Sequence, residues 1–183
     1  YLLGLSLLKS HPSLQTHFRS ILDDPTVFYI TSLLHDIGTT DENLKKTKMS
    51  FELYGGILSL EEVVKAGGGR EMAESVCESV VRHQDLGVRG FVSANTALVQ
   101  MATIMDNTGK NTFLIHPTTL QEIHTLHPRT EWSSCFIKVL QDECHLKPYC
   151  TTLRLGEDTF KNHVMANPLD KLYEFYEWSE GPV

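Results

Sequence analysis

The sequence lacks the features that would tie its 183 residues to a membrane or to secretion. No run approaches the roughly 20 apolar residues that a membrane-spanning helix needs. The start has no basic segment followed by an unbroken apolar one, so we expect no signal peptide in this stretch. The cytoplasm is then the default location, and a nuclear share fits the same absences. Because the chain starts at Tyr1 and not at Met, we expect it to lack its N-terminal segment.

Clustered positive charge and metal-binding cysteine patterns are also missing. The formal net charge is -7 and the longest basic run is Lys45-Lys46, so we expect no nucleic-acid partner. The four cysteines form no CxxC pair and no zinc-finger spacing, and we interpret them as small buried or half-buried thiols. These properties are typical of an intracellular enzyme or binding domain, and they do not choose between the two.

Strand patterns are scarce, and residues 151–155 are the best candidate for one. Apolar residues recur instead at the spacing of helices with one buried face. The predicted helices cover residues 1–8, 26–37, 51–58, 71–83, 95–106, 115–127, 130–142 and 168–178. The sequence therefore predicts one all-α domain over residues 1–183, a helical bundle around a single site.

Glycines and aromatic residues add local predictions. Gly38 is placed to end its helix in a left-handed conformation, and residues 39–48 read as a polar connection. Gly55-Gly56 weakens its helix or allows a close approach of another backbone. An aromatic stripe in the tail packs back onto the core or forms a homodimer contact. Its members are Tyr173, Phe175, Tyr176 and Trp178.

Three polar spots interrupt apolar helices near their C-terminal ends. They are His35-Asp36, the segment 82–85 and Asp106-Asn107. Burying ionised groups is costly unless they are paired or bind a metal, and helix C-termini favour a cation. One imidazole and two carboxylates form a reasonable ligand set for zinc, iron or manganese. The alternative is that His35 and Asp36 only make hydrogen bonds that cap the helix.

The motifs resemble those of the HD superfamily, whose name comes from a His-Asp pair, and more closely those of the fungal cyanamide hydratases. LLHDIG contains the pair, His35 and Asp36, and IMDNTG contains the distant Asp106. The other matching segments are TTDEN (39–43), TKMSFELYGG (47–56), RHQD (82–85) and NTFLIHPTT (111–119). The resemblance extends from about Phe28 to Leu155. It implies an all-α HD fold and a detoxifying lyase that converts cyanamide to urea.

The resemblance also implies roles for single residues. One zinc ion per chain would be held by His35, Asp36 and Asp106, and it would supply a metal-bound hydroxide. His83 is the predicted proton donor, with Glu52 as a proton relay. Lys48 and Asn107 are the predicted substrate contacts. Each also has an ordinary interpretation: a helix-end histidine, a first-turn acid, an exposed loop lysine and a helix cap.

The sequence departs from the family pattern at one point, and two alternatives stay open. The family's first metal-binding His, in an HSxR-like motif, does not occur here, and His11 and His17 lie in the wrong context to replace it. His83 is the one histidine between Asp36 and Asp106, which argues against a second metal ion. One alternative is an HD phosphohydrolase in which Arg82 and Lys48 meet a phosphate. The other is a non-catalytic HD scaffold that binds a small ligand or a partner.

Overall fold

The computed structural model describes residues 1–85 and 90–172, and this part of the chain is all-α, as predicted. Its α-helices are α1 (Leu2–Ser10), α2 (Pro12–His17), α3 (Arg19–Asp23), α4 (Thr26–Leu34), α5 (Asp41–Lys46), α6 (Phe51–Lys65), α7 (Arg70–Arg82), α8 (Ala94–Thr108), α9 (Pro117–Leu126), α10 (Trp132–Leu146) and α11 (Glu157–Met165). Four short 3₁₀-helices cover Ile37–Thr39, Thr112–Leu114, Thr151–Leu155 and Pro168–Lys171. No helix within the described residues is long and apolar enough to cross a membrane.

Helices α6 and α7 form the most extensive helix pair, and glycine makes their close packing possible. A Cβ atom on Gly56 would lie 2.5 Å from a methyl carbon of Val81 and 3.3 Å from the carbonyl oxygen of Cys77. Any larger residue would therefore push α7 away. This confirms the predicted close approach at Gly55-Gly56.

A buried polar network joins α4, α7 and α8. The side-chain amide of Asn95 donates to the hydroxyl of Thr31 over 2.8 Å and to that of Ser79 over 2.9 Å. The hydroxyls of Ser79 and Thr96 lie 2.9 Å apart. All four residues are buried, so these hydrogen bonds offset the cost of removing the polar groups from water.

Apolar side chains fill the spaces around this network. One cluster lies between α6 and α7, and others lie where α8 meets the N-terminal helices and where α10 meets α11. Among the largest fully buried residues are Leu8, Phe28, Phe51 and Leu98. These clusters hold the C-terminal ends of α4 and α7 at fixed positions.

Two local predictions were wrong. Residues 151–155 form a 3₁₀-helix and not a strand. The supposed polar connection 39–48 contains α5, where Thr40 caps the N-terminus by accepting from the amide of Asn43. Acidic residues occupy the first turn of α5 and lysines the last, which suits the helix dipole. This capping pattern is visible in the sequence.

Gly38 was also predicted wrongly, because its φ is not positive and α4 has already ended at Leu34. It lies in the 3₁₀-helix Ile37–Thr39, where an added Cβ would overlap the carbonyl oxygen of Phe51. Glycine is needed here for close packing against the start of α6. The tail forms a 3₁₀-helix at Pro168–Lys171, and the aromatic stripe lies outside the described residues.

Candidate functional site

His35 and Asp36 lie in the turn that follows α4. The Nδ1 atom of His35 is 2.9 Å from the carbonyl oxygen of Ser32, one helical turn back. Because a carbonyl can only accept, Nδ1 carries the proton and Nε2 has the lone pair. That Nε2 atom lies 3.2 Å from Oδ2 of Asp36.

His83 occupies the same place at the end of α7 and has the same tautomer. Its Nδ1 atom is 2.6 Å from the carbonyl oxygen of Val80, and the residue is 2% exposed. Its Nε2 atom lies 3.3 Å from Oδ1 of Asp36, and its ring meets that of His35 edge to face at 5.2 Å. We call His35, Asp36 and His83 the His–Asp–His cluster.

The His–Asp–His cluster requires a positive charge. Burial would lower the pKa of His35, but the neighbouring Asp36 carboxylate outweighs it and raises the pKa above its usual value. Burial would raise the pKa of Asp36, but the two histidines outweigh it and lower that pKa far below its usual range. The buried Oδ1 atom of Asp36 has no hydrogen-bond partner. Without a proton, two nitrogen lone pairs face one carboxylate, which suits a bound cation.

Asp106 lies on α8 and lines a cavity of about 1040 Å³ whose wall also includes His35. Tyr1, Tyr29 and Trp132 also line this cavity. The Asp106 carboxylate therefore lines the same space as His35. The Oδ1 atom of Asp106 accepts from Nη1 of Arg129 over 2.6 Å.

Sequence reasoning missed Arg129, which stands between α9 and α10. Its side chain is 4% exposed, and its Nε atom donates to Oδ1 of Asp170 over 2.7 Å. The guanidinium also lies over the ring of Trp132 at 4.4 Å. His124, equally buried, lines the same cavity, and burial lowers its pKa. The sequence carries no signal for Arg129, because an arginine after a proline in a loop is ordinarily exposed.

The other predicted residues lie in different surroundings. Glu52 is buried at the start of α6, where it accepts from the hydroxyl of Thr151 and faces Arg154 at 3.7 Å. Lys48 is exposed ahead of α6, and Asn107 is buried in the last turn of α8. Their roles stay predictions.

The metal site also stays a prediction. Within residues 1–85 and 90–172, no three side chains of His, Cys, Asp or Glu form a group that could hold an ion. The donor chemistry nevertheless fits a cation, because Nε2 of His35 presents a lone pair and Oδ1 of Asp36 accepts no hydrogen bond.

The protein is thus helical and has a His–Asp–His cluster beside a cavity that is large enough for a small molecule. Over 145 residues, which are 79% of its length, the chain is 48% identical to cyanamide hydratase DDI2 of Saccharomyces cerevisiae. It is equally similar to cyanamide hydratase DDI3 of the same organism. The matched region spans 64% of the length of each of these proteins. No family model matches the chain.

Proposed function

We propose that this chain is the main part of a metal-dependent cyanamide hydratase of the HD superfamily, which adds water to the nitrile of cyanamide to give urea. The observation that carries the proposal is the 48% identity to two cyanamide hydratases. The His–Asp–His cluster supports it with a chemical arrangement suited to hydration. Cyanamide and water together contain all the atoms of urea, so the reaction needs no further reactant.

The proposed metal ligands are His35, Asp36 and Asp106, with zinc as the ion. When bound, zinc lowers the pKa of a coordinated water from about 15.7 to about 7, which makes water a nucleophile at neutral pH. The hydrogen bond from Nδ1 to the carbonyl of Ser32 keeps the Nε2 lone pair of His35 ready for an ion. Asp106, which lines the same cavity as His35, would complete the set.

His83 supports the site by fixing Asp36 or by moving a proton. Its Nδ1 proton is committed to the carbonyl of Val80, so only Nε2 can exchange a proton with its surroundings. Since Nε2 lies 3.3 Å from Oδ1 of Asp36, a proton on Nε2 would be shared with that carboxylate. The role of proton donor to the nitrile nitrogen stays a prediction, since the residues that line the cavity include His35 and Asp106 but not His83.

The phosphohydrolase alternative has less support, because the nearby arginines already have carboxylate partners. Arg82 lies 3.2 Å from Asp85 and 3.6 Å from Glu78. Arg129 is shared between Asp106 and Asp170. A phosphate would have to break one of these ion pairs to bind there. A non-catalytic scaffold remains the other alternative.

The test is urea formation from cyanamide by the full-length protein, with and without a chelator, alongside metal analysis of the same sample. We expect about one zinc per chain and urea production that the chelator abolishes. His35→Gln should lose both zinc and activity, because the amide of Gln is a far poorer zinc ligand than imidazole. His17→Gln is the matched control, since His17 is exposed at the end of α2, and it should keep both.

Two results would contradict the proposal. A protein that holds its metal but makes no urea would redirect the search to phosphomonoesters. A full-length protein that retains no stoichiometric metal and makes no urea would support the scaffold interpretation.

A further inference from the structure

The guanidinium group of Arg129 has an unusually large number of partners for an arginine in a loop. Two carboxylates bind it: Asp106 accepts from Nη1 over 2.6 Å and Asp170 accepts from Nε over 2.7 Å. The Nη2 atom lies 3.4 Å from the hydroxyl of Ser133, and Trp132 packs against the face of the group. A planar group with partners on its edges and a ring on its face has one orientation.

Asp106 depends on this arrangement for its own orientation. Its side chain is 38% exposed and lines the cavity, so packing alone does not fix it. Arg129 takes one oxygen, Oδ1, which leaves Oδ2 as the oxygen for another partner. The 3₁₀-helix Pro168–Lys171 and its N-cap contact this region at two points. Asn167 donates to the backbone carbonyl of Asp106 over 2.6 Å, and Asp170 accepts from Arg129.

Charge explains why two carboxylates share one guanidinium. Arg129 paired with Asp106 alone would form a neutral pair, and a neutralised carboxylate attracts a cation weakly. With Asp170 the three groups have a net charge of -1. Asp170 therefore neutralises part of the positive charge of the guanidinium. Asp106 then keeps more of its negative charge for a ligand in the cavity.

We propose that Arg129 is the positioning residue of Asp106 and that Asp170 tunes it, so that Asp106 presents one charged oxygen to a divalent cation. This inference rests on the proposed function, in which Asp106 is a metal ligand. Arg129 acts through Asp106 and does not itself touch the ion or the substrate.

The test is the zinc affinity of the full-length protein, measured by competition with a chromogenic chelator, together with the kinetics of urea formation. Asp170→Asn removes the charge but keeps the size of the side chain. We expect zinc affinity to fall about 10- to 100-fold, the usual effect of losing a partner of a metal ligand. At saturating zinc, kcat should fall while KM for cyanamide stays near that of the wild type.

Asp158→Asn is the matched control, because Asp158 is an exposed acid on α11 and its zinc affinity should equal that of the wild type. Arg129→Lys provides a second variant if Asp170→Asn fails to fold. Lysine keeps the positive charge but lacks the planar guanidinium that binds two carboxylates at once, so zinc affinity should also fall.

The outcomes separate this inference from the proposed function. If the wild type binds zinc and every folded variant binds it equally well, the positioning role of Arg129 is wrong and the hydratase proposal is untouched. If the wild-type protein binds no zinc, the metal site fails, and the inference is overturned with it.

Discussion

Glu143 and Asp36 are two carboxylates whose oxygen atoms have contrasting partners. Glu143 on α10 is fully buried, and both of its oxygens have donors. Its Oε1 atom accepts from the amide of Phe51 over 2.6 Å and from Lys147 over 3.3 Å, and its Oε2 atom accepts from Thr152 over 2.5 Å. Asp36 is only partly buried, yet its buried Oδ1 atom has no hydrogen-bond partner and both of its oxygens face imidazole nitrogens.

The difference is the one expected between a structural carboxylate, Glu143, and the metal-binding carboxylate that we propose, Asp36. A buried acid with every oxygen satisfied ties elements together, here the start of α6 to α10 and to the 3₁₀-helix Thr151–Leu155. A carboxylate whose neighbours are histidines with lone pairs is arranged for an ion or a proton that can come and go. We therefore expect the stability of the fold to depend on Glu143 and the activity to depend on Asp36.

The largest effect is expected from Asp36→Asn. Urea formation should fall by on the order of 10²- to 10³-fold, the usual cost of losing an electrostatic group at a reacting centre. The free energy of unfolding should change by no more than about 1 kcal/mol, because the new amide can donate to a histidine lone pair. Steady-state kinetics and thermal unfolding of the same sample check both parts. Asp41→Asn, an exposed change in α5, should alter neither, and a large loss of stability in Asp36→Asn would undo the comparison.

The next effect is expected from Glu143→Gln, which leaves the buried ammonium group of Lys147 without a full counter-charge. The free energy of unfolding should fall by about 3 kcal/mol, which for a chain of this size lowers Tm by about 6–12 °C. Activity per folded molecule should stay close to that of the wild type.

The double variant Glu143→Gln with Lys147→Met sharpens this test. It removes the unpaired ammonium and should recover part of the lost stability. If Glu143→Gln instead abolished activity at a temperature where the protein stays folded, Glu143 would belong to the functional region.

The smallest effect is expected from Gly38→Ala, because Gly38 lies between the surroundings of Asp36 and those of Glu143. Gly38 follows Asp36 by two residues, and its added Cβ would overlap the carbonyl oxygen of Phe51, whose amide is held by Glu143. Overpacking of this kind costs about 1–3 kcal/mol. We expect Tm and urea formation to fall together, measured by thermal unfolding and initial rates.

Gly69→Ala is a suitable control, because a Cβ at that position meets no atom within 4 Å. It should leave the activity unchanged. An unaltered Gly38→Ala variant would mean that the close contact between Gly38 and Phe51 yields easily.

The helices could largely be predicted from sequence, because their apolar residues follow one period. The prediction for 95–106 falls within α8 (Ala94–Thr108), and that for 71–83 matches α7 (Arg70–Arg82) to within one residue at each end. The prediction failed where periodicity gives no information. The interpretation of Gly38 assumed a left-handed helix end, whereas its φ is not positive and its backbone packs closely against Phe51 at the start of α6.

The candidate site was predictable in its motif residues but not in their partners. His35 and Asp36 stand out as a polar pair after an apolar helix, and the structure adds that His83 meets the same carboxylate. Arg129 and Asp170 are far from Asp106 in sequence, and nothing local marks them. A buried ion pair forms through tertiary packing, and a single sequence contains no signal for it.

The amide of Asn95 has a consequence for how the molecule can move. Interlocked apolar side chains resist the sliding of one helix along another, and directional hydrogen bonds between helices add to this resistance because they break over a short displacement. Thr31 lies one turn before His35 and Ser79 one turn before His83, and Asn95 binds both hydroxyls. Sliding α4 against α7 would break these bonds. Asn95 therefore helps to fix the relative positions of α4 and α7, and with them the spacing of His35 and His83.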